Sequence, residues 1–224
     1  MTASGISDRS AFWIRVRSVS CVLWILLVFQ NAVSASSAGK VAGIPSAAQP
    51  PSFSPFYIYA DKGSGKNHYI PSGFMPDGKC LLLNEIWTEQ CHSGQTCIRV
   101  EYDLACSRKG QRWAGIYWLN PANNWGQRKG GFNPTGAQKL TFWARGDKGG
   151  EQIQEFTVGG ITGNYPDSDL AVIGPVILSN EWRPYTIDLR GKDLSYISGG
   201  FAWSTSEEVN PDGCTFYLDE IRFE

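Results

Sequence analysis

Lys-Leu-Thr-Phe-Trp-Ala-Arg-Gly (139–146) and the C-terminal Thr-Phe-Tyr-Leu-Asp-Glu-Ile-Arg-Phe-Glu (215–224) decide the class of this fold. Both place apolar side chains at alternate positions and are rich in aromatic and β-branched residues. That is the pattern of a strand with one face in a core and the other toward solvent. Between them come Gln-Ile-Gln-Glu-Phe-Thr-Val (152–158), Trp-Arg-Pro-Tyr-Thr-Ile-Asp-Leu (182–189) and Gly-Gly-Phe-Ala-Trp (199–203), divided by turn formers such as Gly146-Asp147, Gly149-Gly150 and Gly191. Working outward, strand patterns recur at 56–60, 81–87, 96–105, 113–119 and 172–178, with no sustained helical period after residue 55. Short strands with frequent turns predict an all-β, antiparallel β-sandwich whose first and last strands are adjacent. The links 61–79, 120–138 and 159–171 are rich in Gly, Pro, Asn and Asp, and loops of that length are expected to rim a site.

The 224 residues suit one folded domain, placed at 55–224. Ahead of it, Arg9, Arg15 and Arg17 precede the apolar run Val22 to Phe29 and the small residues Ala32-Val33-Ser34-Ala35. A basic region, a short apolar core and an A-x-A-like site read as a secretory signal peptide over 1–35, cut after Ala35. The competing reading, a membrane anchor, is disfavoured because the apolar core falls short of the ~20 residues a spanning helix needs. Residues 36–54 read as a flexible linker. The expected destination is secreted, periplasmic or extracellular, with no membrane partner beyond the signal peptide. A net charge of −1 leaves no basic surplus for nucleic acid.

Cys80, Cys91, Cys97, Cys106 and Cys214 remain after the signal segment, and an odd set implies a free thiol or a bridge to another chain. Cys106 ends one strand pattern and Cys214 begins the last. Antiparallel pairing of those strands would bring the ends together, so Cys106–Cys214 is the expected disulfide.

Nine Trp, nine Tyr and eleven Phe are more rings than a core of this size readily hides, so some are expected at a working surface. Aromatic faces stack on the C–H face of a pyranose, and polar planar groups then bond its hydroxyls. Trp113, Tyr117, Trp118 and Trp125 form the densest set, with Trp113 and Trp203 assigned to the core. Alternation sets Leu140, Phe142 and Ala144 on one face and Trp143 and Arg145 on the other. In 152–158 it turns Glu155 outward. If those two strands are neighbours, Trp143, Arg145 and Glu155 share one surface, either as a sugar site or as an ordinary ion pair beside a half-buried ring.

Several stretches resemble carbohydrate-binding modules of the galactose-binding-domain-like jelly-roll type. They are Phe216 to Ile221, Asp61-Lys-Gly-Ser with Asn67 to Gly73, His92 to Ile98, and Trp113 to Trp118, and together they cover most of 55–224. The resemblance implies a jelly roll and a non-catalytic module that recognises a poly- or oligosaccharide. Its expected ligand-binding residues are Trp143, Arg145, Glu155, Trp118, Trp125 and Tyr117. It also implies Asp219 as ligand to a structural Ca2+ between first and last strands, a place Asp61 could reach; carbonyl oxygens must supply the rest. Asp167 and Asp169 are read as a turn, with calcium ligation the weaker alternative.

Two other readings stay open: a structural or protein-interaction domain without a sugar site, and a small polysaccharide-cleaving enzyme. Against the enzyme, only His68 and His92 are present and neither Gly-x-Ser-x-Gly nor Glu-x-Asp-x-x-Glu occurs. Glu155 with Glu101 or Asp103 is the remaining route, since glycoside hydrolysis needs two carboxylates ~5–10 Å apart.

Overall fold

A computed structural model describes residues 53–76, 78–106 and 112–224; the signal segment 1–35 and linker residues 36–52 lie outside the described residues. Strands in chain order are β1 (Phe56–Tyr59), β2 (Ile70–Met75), β3 (Leu81–Trp87), β4 (Cys97–Tyr102), β5 (Trp113–Leu119) and β6 (Lys139–Gly146). They continue with β7 (Gln152–Ile153), β8 (Glu155–Gly159), β9 (Leu170–Ile173), β10 (Val176–Ile177), β11 (Arg183–Asp188), β12 (Gly199–Ser206) and β13 (Cys214–Phe223). The protein is an antiparallel jelly-roll sandwich. One sheet has the order β11-β6-β13-β4-β3, with β1 also paired to β13; the other runs β2-β5-β12-β8-β9. First and last strands do meet, through Phe56↔Phe223, Tyr57↔Arg222 and Tyr59↔Ile221.

The core lies between the sheets. Leu140, Phe142 and Ala144 on β6 and Phe216 and Leu218 on β13 meet Ile116, Trp118, Phe156, Phe201 and Trp203 from the facing sheet. Ring contacts join the layers: Phe142 lies 4.6 Å from Phe156, and Trp203 stands edge-on to Phe216 at 4.8 Å. Phe53, which the sequence places in the linker, packs against this core.

Three differences from the sequence reading change which strands exist. β2 lies inside the link 61–79, where Pro71 and Gly73 look like loop residues; as an edge strand it tolerates a proline that has no N–H to donate. The run 152–158 breaks at Gln154 into β7, which pairs with β10, and β8, which pairs with β12. The run 172–178 breaks at Gly174-Pro175 into β9 and β10.

The expected Cys106–Cys214 bridge is not formed, because Cys214 is a free thiol. β4 stops at Tyr102, which sits opposite Cys214, and the chain turns away into a short helical turn, so Cys106 is not the residue across the ladder. Burial pushes the Cys214 thiol up to about 12. The bridge that forms is Cys91–Cys97, and Cys80 is also disulfide-bonded.

Candidate functional site

The outer face of the five-stranded sheet is floored by small side chains. The register gives one row across it, Met75–Gly115–Ser204–Glu155, and a second, Gly73–Tyr117–Ala202–Thr157–Val172. Alternation on β5 turns Ala114, Ile116 and Trp118 into the core and Trp113 and Tyr117 outward. Trp113 is 40% exposed, so its assignment to the core is corrected. Trp203 is in the core, as expected.

Tyr117 lies along the sheet and donates its hydroxyl to the Gly159 carbonyl at 3.2 Å. Burial pushes that hydroxyl up to about 12, so it stays protonated and able to donate. Trp125, 36% exposed, meets Tyr117 edge-on at 5.8 Å from the loop after β5. Gly73 makes this meeting possible, since a Cβ there would come 2.9 Å from the Tyr117 Cβ and 3.0 Å from the Trp125 ring. The Trp125 loop is pinned by Asn124, whose Oδ1 accepts from the Gln127 and Arg128 N–H groups, and the Gly126 carbonyl accepts from the Tyr165 N–H at 2.9 Å. A cavity of about 170 Å³ opens beside Tyr117 and Trp113, lined also by Met75, Glu155, Thr157 and Ser204 among others. Flat apolar faces, hydroxyls and one carboxylate thus converge on an uncovered sheet.

Tyr117, Trp125 and Glu155 share this face, but Trp143, Arg145 and Trp118 do not. Trp118 is wholly buried, which corrects its expected place in a platform; the same alternation that exposes Tyr117 turns its neighbour inward. Trp143 and Arg145 lie on the outer face of the six-stranded sheet, whereas Glu155 belongs to the other sheet, so the expected trio does not form. The chain leaves the six-stranded sheet after β6, pairs briefly with β10 as β7, and enters the five-stranded sheet only as β8. Trp143 is instead stacked by His92 at 3.6 Å, and the Arg145 guanidinium lies 3.7 Å from the Tyr217 ring and 5.5 Å from Trp182. Met75, Thr157 and Ser204 were missed. Two are small side chains whose role appears only in the register, and the third lies on the unread strand β2.

Glu101 is on β4, ion-paired to Arg99 at 2.8 Å, and Asp103 follows the same strand. Glu155 is on the opposite sheet, so the structure does not assemble the carboxylate pair considered for hydrolysis.

Asp219 and Asp61 come together at the junction of first and last strands. Asp219 Oδ2 accepts the Ser93 N–H at 3.0 Å and its Oδ1 accepts the Glu220 N–H at 2.9 Å. Asp61 Oδ1 accepts the N–H groups of Gln95 and Thr96, each at 2.7 Å. Burial pushes the Asp219 carboxyl up to about 7, while the Thr96 N–H holds Asp61 below the usual carboxylate range. These oxygens accept from the loop closed by Cys91–Cys97 and from Glu220; a Ca2+ here would share them with backbone carbonyl oxygens, since it takes six to eight oxygen ligands. Among the described residues, no three His, Cys, Asp or Glu side chains are grouped to hold a metal ion. Asp169 ties its loop to the one after β11, accepting from the Leu170 and Asp193 N–H groups and Lys192 Nζ.

No family model matches the sequence, and no curated protein matches it by sequence. Among solved structures, the chain is similar to the family 30 carbohydrate-binding module of the cellulosomal cellulase Cel9D-Cel44B of Clostridium thermocellum. The identity is 15%, over 76% of this chain and 96% of that one, with a TM-score of 0.49. It is also similar to a family 11 carbohydrate-binding module from Clostridium thermocellum in complex with a β-1,3-1,4-mixed-linked tetrasaccharide (13% identity, 64% and 80% coverage, TM-score 0.39). A third likeness is to a family 29 carbohydrate-binding module (10% identity, 76% and 91% coverage, TM-score 0.41).

Proposed function

We propose that this chain is a secreted, non-catalytic carbohydrate-binding module that receives a glycan on the outer face of its five-stranded sheet. One observation carries the reading: exposed Trp113 and half-buried Tyr117 stand on one face of an open sheet, over Gly115, Ala202 and Ser204, side chains too small to cover them. Such rings offer large apolar area with few rotamers to freeze, and this favours pyranose stacking. Glu155, Ser204 and Thr157 supply polar atoms on the same face, and Trp125 forms an upright wall at one end. Residues 1–35 supply the export pattern.

A glycan array on the secreted protein tests the reading, with Trp113→Ala and Tyr117→Ala beside the parent. Binding by the parent that is weakened in both variants supports it. No binding by a folded parent would leave the structural or protein-interaction reading in its place. Mass spectrometry of the secreted chain is expected to find a first residue near Ser36; retention of residues 1–35 would refute cleavage there.

A further inference from the structure

The ring of Tyr117 rests on backbone from two strands. Its edge lies over Gly199 at the start of β12, where a Cβ would come 3.1 Å from the ring's Cδ1 and Cε1. Its hydroxyl reaches the carbonyl of Gly159 at the end of β8. One side chain ties Gly199 to the backbone two residues beyond Gly159. Asp167, in the loop between β8 and β9, accepts the Ser198 N–H at 2.5 Å and the Ser198 hydroxyl at 2.6 Å through Oδ1. Through Oδ2 it accepts the N–H groups of Gly199 and Ile161, each at 3.1 Å. Its own N–H returns to the Ile161 carbonyl at 2.9 Å. A carboxylate is the side chain suited to this place, because it accepts on both oxygens and donates on neither.

We infer that Asp167 is a positioning residue for the glycan platform: it fixes the seat of Tyr117 and so sets the plane against which a sugar stacks. The inference rests on the proposed site, but its first consequence is readable without any glycan. Asp167→Asn turns one accepting oxygen into an N–H₂ donor aimed at N–H or O–H donors, which loosens Gly199 and Ile161 or Ser198. Trp113, four residues along β5, is not held by this network.

The test has two arms. In the glycan-free arm, ring-labelled tyrosine spectra of the full chain are compared between the parent and Asp167→Asn. The Tyr117 ring signals are expected to shift and broaden while the Trp113 indole N–H signal stays in place. An unmoved Tyr117 signal would overturn the inference, whatever the array shows. In the second arm, calorimetry with the tightest-binding oligosaccharide of the array is expected to give about a tenfold loss of affinity for Asp167→Asn, with little further loss when it is added to Tyr117→Ala. Full additivity with Tyr117→Ala would overturn it, because a general loss of stability adds independently of that ring. If Asp167→Asn does not fold, Ser198→Ala removes only the hydroxyl donor and carries both arms with smaller expected shifts. If the parent binds no glycan, the proposed function fails, and the Tyr117 signals still decide whether Asp167 seats the ring.

Discussion

On the outer face of the five-stranded sheet, Trp113 and Tyr117 stand over residues too small to shield them. On the outer face of the six-stranded sheet, Trp143 and Arg145 stand beneath a loop that crosses them. There His92 stacks on Trp143, the Trp182 indole N–H donates to the Gln90 carbonyl at 2.8 Å, and the Cys91–Cys97 bridge closes the crossing segment. The two faces use the same chemistry, aromatic rings beside charged groups. They differ in what passes over them, and so one is open to a ligand while the other is occupied by the chain itself. A surface aromatic predicted from alternation is therefore only a candidate, because alternation chooses a face and the loops decide whether that face is covered.

The largest expected effect is at Trp118, the neighbour of Tyr117 that points inward. Trp118→Ala is expected to cost ~3–5 kcal/mol of unfolding free energy, since it leaves a cavity in a close-packed core. Urea denaturation showing a loss below ~1 kcal/mol would place that ring outside the core. Next is Trp143→Ala, where half a ring's packing and the His92 stack are lost. It is expected to cost about 2 kcal/mol of stability and to leave glycan affinity unchanged. A loss of glycan binding with stability intact would reverse the roles of the two faces.

Trp113→Ala should show the opposite profile. Its expected cost is ~1.5 kcal/mol of binding, about tenfold in affinity, with stability within ~0.5 kcal/mol of the parent. Calorimetry and denaturation on one preparation check both halves. A smaller effect is expected from acid on the covered face. Burial lowers the His92 pKa below its ordinary 6.5, so the neutral, stacked form is favoured above that pH, and its contribution is lost as pH falls through the lowered value. Tryptophan fluorescence is expected to change between pH 7.5 and pH 5, and the change is expected to vanish in His92→Gln. An unaltered acid response in that variant would assign the effect elsewhere.

The smallest expected effect is none. With the Asp219 and Asp61 oxygens directed at backbone N–H groups, excess chelator is expected to leave the melting temperature unchanged. A fall would reveal a cation bound to the folded state, since such binding stabilises by mass action.

The period-2 runs at 139–146 and 215–224 determined strands, and the turn residues between them determined a sandwich, because both signals are local and do not depend on which strands pair. The odd cysteine count was legible for the same reason. Of the candidate site, Tyr117, Trp125 and Glu155 were legible as side-chain types suited to a sugar. The sequence could not show that Trp118 and Trp143 belong elsewhere, for two reasons. The phase of β5, Trp-Ala-Gly-Ile-Tyr-Trp-Leu, has large rings on both faces. The step from β6 to β8 also crosses from one sheet to the other, and nothing in the run 152–158 announces it. Which strands are neighbours, which loop lies over which ring, and which backbone donors claim Asp167, Asp61 and Asp219 were decided only by the tertiary structure, because each depends on contacts between residues far apart in the chain.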